Sequence, residues 1–289
     1  MLSFLPLMSI EGDIALENTI KYFLVQRIAS VFFLTNIIIM SFRAYSIIEV
    51  GTLLAIIMKL GAAPLHGWFI SLLKNSRARI IFYLSTTQKF IPLMIVTNFK
   101  IEHGIFNLIG LTTMLVVCFN GIRILFLNKI LGLSSINNLL WILLRSQIDC
   151  TLMIIFFCFY SFMLLSVLSV SIKQMGLVTI SQLIWMPKFT RAVFTFYFIS
   201  LGGLPPFLGF VSKALVLKRV VEEFSTMFLI MLTFSSLMIL LYYIIFSMFM
   251  LTYTPEYKPN THGVYFPPVQ RIFFCTFMIS PDLIILGGL

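Results

Sequence analysis

The sequence predicts an all-α polytopic membrane protein of about nine full transmembrane helices plus a partial N-terminal one, built as inverted repeats with broken helices. Three observations carry this. Of its 289 residues, 60% are hydrophobic and 10% are charged, far from the roughly 45–50% apolar and 25% charged of a soluble domain. Its apolar runs repeatedly reach the roughly 20 residues that cross a bilayer as helix, without the alternation of a transmembrane β-barrel. Gly and Pro also interrupt several of these runs, which only a buried or water-lined backbone tolerates at membrane depth.

Apolar length and Pro, Gly and charge punctuation set the spans at 18–42, 46–73, 80–99, 104–125, 130–146, 149–171, 190–218, 224–252 and 271–288. Residues 174–188, QMGLVTISQLIWMPK, are too polar and short to cross and are expected as a helix along the surface. Residues 253–270 form a polar, Pro-rich loop. The opening MLSFLPLM gives about 12 Å of helix against roughly 30 Å of hydrocarbon, so it reads as the end of a helix begun elsewhere. The whole of 1–289 is expected to be one transmembrane domain, with repeat halves 1–100 and 101–252 and a terminal loop and helix over 253–289.

The net charge of +10 does not indicate nucleic acid, because the basic residues lie singly between apolar segments, with no basic stripe or interleaved aromatics. They set orientation instead. Lys74, Arg77, Arg79, Arg123, Lys129, Lys173, Lys188, Arg191, Lys258 and Arg271 gather on one side, and Arg43, Lys100, Arg145, Lys218 and Arg219 on the other. The positive-inside rule turns the first side to the cytoplasm or mitochondrial matrix and the C-terminus outward. Cys118, Cys150, Cys158 and Cys275 make no CxxC pair and have no histidine at ligand spacing, so they read as packing residues. No GxGxxG or P-loop is present, and no cofactor is expected in this chain.

Three lysines fall inside spans, where a central charge costs about 2.5–3.5 kcal/mol even on a lenient insertion scale. Lys59 precedes Gly61 and Pro64; Lys89 lies in STTQKFIP before Pro92; Lys213 follows Gly202, Gly203, Pro205, Pro206 and Gly209. Each stands beside helix-breaking chemistry. Burial there disfavours an ammonium while water and polar groups favour it, a balance that lets a lysine exchange a proton in response to a neighbouring charge. Ser85, Thr86, Thr87, Gln88, Ser134, Ser135, Asn137 and Asn138 are the polar groups at hand. One such lysine near a span end would be read as snorkelling or statically paired; three beside breaks favour a relay. KLGAAP at 59–64 and SLGGLP at 200–205 share Leu, Gly and Pro at matching columns in spans of opposite direction, the pattern of an inverted-repeat transporter.

The segments MKLGAAPLHGWF, SSINNLLW and SLGGLPPFLGFVSK resemble KxGxAPFHFW, SSIxHMGW and SLGGLPPxxGFxPKW of the subunit-two family of NADH dehydrogenase, in mitochondrial respiratory complex I. ENTIKYFL at 17–24 is similar to a further segment of that family, and the likeness runs in order from residue 1 to about 250. It implies an antiporter-like, proton-translocating subunit without a redox centre, partnered by the other membrane subunits of complex I and the lipid bilayer, with no direct NADH binding. It also implies the mitochondrial inner membrane.

The family's central lysines carry over onto Lys59, Lys89 and Lys213, a further one onto Lys21, and its APFHFW histidine onto His66. Near a span start, Lys21 is expected to pair with a carboxylate; His66 fits a backbone-holding role as well as proton transfer. The family's glutamate partner of a channel lysine lies upstream of the LSFLP segment and would fall before Met1. Asn138 stands where the family has histidine, and Ser212 and Ala214 replace the proline and tryptophan flanking its lysine. Glu222 and Glu223 read as a solvated helix end, Glu49 and Asp149 as interfacial charge, and Tyr242 and Tyr243 as packing residues whose hydroxyls are available to a water chain. Two other functions fit the same residues: a free-standing cation/proton antiporter, or a structural subunit with fixed lysine ion pairs.

Overall fold

A computed structural model describes residues 13–42, 46–74, 76–99, 103–121, 127–172, 188–205 and 207–252. The N-terminal stub, the loop over 253–270 and the ninth span, 271–288, lie outside them. So does the surface helix, except for its last residue, Lys188. Among the described residues every regular element is helical. In chain order these are α1 Asp13–Phe42, α2 Ser46–Leu60, α3 Gly67–Lys74, α4 Ala78–Ser85, α5 Thr87–Val96, α6 His103–Gly121, α7 Leu127–Ile148, α8 Cys150–Ile172, α9 Lys188–Gly202, α10 Leu208–Glu223 and α11 Thr226–Thr252.

Five stretches, within α1, α6, α7, α8 and α11, are long and apolar enough to cross a membrane. The expected spans 46–73, 80–99 and 190–218 are each two short helices joined at a break: α2 and α3, α4 and α5, α9 and α10. These are the spans that contain Lys59, Lys89 and Lys213.

α7 is the axis, packing against α3, α5, α6, α8, α10 and α11. Of the five long helices it is the least apolar and the most enclosed, with 94% of its span buried against 6% for α1. In water that order would be perverse. In a bilayer the hydrocarbon accepts Ile28, Val31, Leu34 and Ile38 on the outside of α1, whereas polar side chains must find partners inside the protein. α7 accordingly buries Ser134, Ser135, Asn137 and Asn138 together, with Asn137 Oδ1 accepting a 2.8 Å hydrogen bond from Ser235 Oγ of α11.

Candidate functional site

The break after α2 is a glycine-ended helix terminus. Gly61 takes φ +66°, Ala62 N donates to Ile57 O at 3.2 Å and Gly61 N to Met58 O at 3.3 Å. This is the Schellman arrangement, which satisfies the last carbonyls with a left-handed residue that only glycine adopts at no cost. Lys59 sits in that last turn, where the helix dipole favours a cation. It is half-buried, with Nζ 5.4 Å from the Phe33 ring centroid on α1, while its carbonyl accepts from Gln26 Nε2 at 3.1 Å.

The break after α9 also ends on a left-handed glycine, here in the simpler αL arrangement. Gly203 has φ +88°, and its N–H donates to Ile199 O and Ser200 O, each at 3.2 Å. The left-handed residue is thus one column later than the alignment of KLGAAP with SLGGLP predicts. That shift leaves Gly202 as the last helical residue, with a carbonyl facing the interior. Lys213, 8% exposed in α10, donates from Nζ to it at 2.9 Å. A Cβ on Gly203 would lie 3.2 Å from Nζ.

The third break differs in cause. The sequence assigns it to Pro92, but Pro92 lies inside α5, and the chain turns at Thr86, which has φ −118° and ψ −78°. Three consecutive hydroxyls end α4: Ser85 Oγ donates to Ile81 O, Thr86 Oγ1 to Phe82 O and Thr87 Oγ1 to Tyr83 O. They bond back onto carbonyls of the preceding turn, competing with the backbone ladder where α4 ends. Lys89 follows in the first turn of α5, 4% exposed, with Nζ 2.6 Å from Ser135 Oγ and 4.3 Å from the Phe69 ring centroid. Lys213 has a helix C-terminal carbonyl to offset its charge; Lys89 has one hydroxyl and an aromatic face.

The other sequence-derived candidates lie apart from this interior. Lys21 is exposed and pairs with Glu17 one turn away on α1. His66 is partly exposed, with Nδ1 3.0 Å from Pro64 O, and its carbonyl accepts from Phe69 N and Ile70 N at the start of α3. It holds backbone. Two arginines counted among the charges at span ends are instead buried: Arg145 is 3% exposed and Arg191 is 4% exposed, the latter donating from Nη1 to Met250 O. Sequence reading also passed over Tyr160, which is 2% exposed on α8; one tyrosine in an apolar run carries no signal of its own.

The family model for the transmembrane part of NADH:quinone oxidoreductases and Mrp antiporters matches residues 41–239, the stretch containing all three breaks. The NADH-ubiquinone oxidoreductase chain 2 of Anopheles gambiae is 31% identical over 267 residues, 88% of this chain and 78% of that protein. The chain of that name from Aquarana catesbeiana is 33% identical over 279 residues, 90% and 78% respectively. Among solved structures, respiratory complex I from Thermus thermophilus, with bound aureothin, contains a chain of TM-score 0.79 and 18% identity, over 97% of this chain and 71% of that one. The Mrp complex from Dietzia sp. contains one of TM-score 0.77 and 15% identity, over 90% of this chain and 55% of that one. The antiporter-like fold is therefore shared with both kinds of assembly, and the chain belongs to the NADH-ubiquinone oxidoreductase chain 2 family, within the NADH:quinone oxidoreductase/Mrp antiporter group.

Proposed function

We propose that this chain is a core membrane subunit of respiratory complex I, moving protons across the mitochondrial inner membrane through Lys59, Lys89 and Lys213. Electron transfer from NADH to quinone takes place elsewhere in the complex and supplies the energy. The chain itself holds no cofactor and does not touch NADH; its partners are the other membrane subunits and lipid. It forms one domain of nine spans, with repeat halves 1–100 and 101–252 and the C-terminus toward the intermembrane space.

The observation that carries this reading is the burial of Lys89 against Ser135 of the enclosed α7, and of Lys213 against the Gly202 carbonyl at the end of α9. A buried ammonium held by one hydroxyl is costly to keep charged, so a charge arriving nearby readily expels its proton. Lys89 then passes the proton along the interior, repulsion supplies the direction, and Lys59 and Lys213 stand on either side as donor and acceptor. Lys21 and His66 have subsidiary roles, at the membrane surface and at the α3 start.

The test is Lys89→Met in the assembled complex, which keeps bulk and removes the charge. NADH-driven, pumping-coupled turnover is expected to fall by about a hundredfold, the low end of what one positioned proton-transfer group contributes, with normal assembly on a native gel. Full turnover with normal proton stoichiometry would overturn the reading. A destabilised complex with normal coupling would point to fixed ion pairs. Migration of the chain outside the NADH-oxidising band, with transport by the chain alone, would point to an independent antiporter.

A further inference from the structure

Tyr160 on α8 and Tyr243 on α11 are among the largest fully enclosed side chains, 2% and 0% exposed. Neither hydroxyl makes a direct hydrogen bond of normal geometry. A buried hydroxyl without a partner is costly, and packing alone would be served as well by phenylalanine, as it is by Phe198 beside Tyr243 and Phe246 beside Phe198. The surroundings supply a reason for the oxygens. The Tyr160 hydroxyl lies by Ser85 and Ser135, the Tyr243 hydroxyl lies by Ser134, and the two tyrosines are within electrostatic range of one another.

One end of this group meets Lys89, and the ring at the other end packs against the residue that holds Lys213. Ser135 Oγ accepts from Lys89 Nζ, and the Tyr243 ring lies against Gly202, 3.1 Å from where a Cβ would stand, whose carbonyl holds Lys213. Donor directions are partly fixed. Ser85 and Ser134 spend their protons on Ile81 O and Leu131 O, so toward the tyrosines they only accept. Ser135, accepting from Lys89, keeps a proton to give onward.

We propose that Tyr160 and Tyr243, with Ser135 and with Ser134 orienting the Tyr243 hydroxyl, form a hydroxyl bridge that carries protons between Lys89 and Lys213. The proposal rests on the lysine relay and assigns its inner link. The Lys89 ammonium gives a proton to Ser135 Oγ as the Ser135 proton passes to the Tyr160 oxygen. Successive O–H bonds then break and form through Tyr160 and Tyr243, with water joining hydroxyls that do not touch. One N–H bond is lost at Lys89 and one is formed at Lys213, with no net change in the hydroxyls once they rotate back.

The experiment compares Tyr160→Phe, Tyr243→Phe and the double variant with Tyr242→Phe, in intact complex reconstituted into vesicles. Tyr242 is the control because its hydroxyl already donates to Val117 O and Cys118 O on α6. Protons moved per NADH, quinone-coupled turnover and its slowing in D2O are measured per assembled complex, beside NADH oxidation by an artificial acceptor. The double variant is expected to lose most of its coupled turnover, with a larger D2O effect and unchanged acceptor activity, while Tyr242→Phe stays at the native value. Full proton stoichiometry in the double variant, with Lys89→Met inactive, would overturn the bridge and leave the lysines standing. Full stoichiometry in Lys89→Met as well would overturn both. Should the double variant not assemble, full stoichiometry in each single variant overturns the bridge equally.

Discussion

The interior on the two sides of Lys89 is built from different chemistry. Toward Lys59 it is largely aromatic: Phe69 faces Lys89 and packs its Cβ against Gly61, Trp68 stands edge-on to Phe69, Tyr22 tilts against Trp68 with its hydroxyl spent on Gln88 Oε1, and Phe33 lies under Lys59. Toward Lys213 it is hydroxylic, with Ser135, Ser134, Tyr160 and Tyr243 clustered around α7. An aromatic face stabilises a cation but accepts no proton, whereas a hydroxyl both accepts and donates. On the relay and bridge proposed above, the first side would hold charge and block passage, and the second would let a proton through once it arrives.

The strongest way to break the comparison is to part the two half-helices of the hydroxylic side. A Cβ at Gly209 would come 2.1 Å from the Ser200 carbonyl oxygen, a backbone atom that cannot turn aside. Gly209→Ala is expected to push α10 off the end of α9, to separate Lys213 from Gly202 and to leave almost no assembled complex. Native gel quantification checks this, and wild-type amounts would show the two half-helices to be looser than described.

A smaller and more specific effect is expected on the aromatic side. Phe69→Ser replaces the ring with a hydroxyl and opens a space that water can share, at a stability cost of about 3–5 kcal/mol for a large core truncation. Vesicles holding the assembled variant are expected to leak protons several-fold faster without NADH. Phe69→Leu, which refills the space with hydrocarbon, stays tight and loses only the cation–π contact, about 2 kcal/mol when desolvated. Equal leak in both variants would show that the ring is not the barrier.

Much of this was legible in the residues. A lysine inside an apolar run is too expensive to be incidental, so Lys59, Lys89 and Lys213 stood out before any coordinates, and Gly61 and the SLGGLPP segment located two breaks. The third was misattributed because Pro signals a kink wherever it occurs, whereas three hydroxyls ending a helix look like ordinary polar residues until their carbonyl partners are seen. Tyr160 was invisible for a related reason: its distinction lies in what α7 brings beside it, and neighbours across helices leave no trace in local spacing. Arg145 and Arg191 misled in the opposite way. A basic residue near a span end reads as interfacial, and only the packing of α7 and α9 reveals that these two are enclosed.

The smallest expected effect concerns Lys21, which the family resemblance adds to the same series. Its ammonium pairs with Glu17 across one helical turn, with the two side chains 50% and 64% exposed. An exposed i,i+4 pair is worth about 0.3–0.5 kcal/mol, and water screens what remains of its field at the interior lysines. Lys21→Met should therefore leave proton stoichiometry and assembly at native values, with at most a slight change in coupled turnover. A loss as large as that of Lys89→Met would carry a different lesson: since Tyr22, the next residue, donates to Gln88 Oε1 beside Lys89, the aromatic side would then extend to the membrane surface and Lys21 would stand at its mouth.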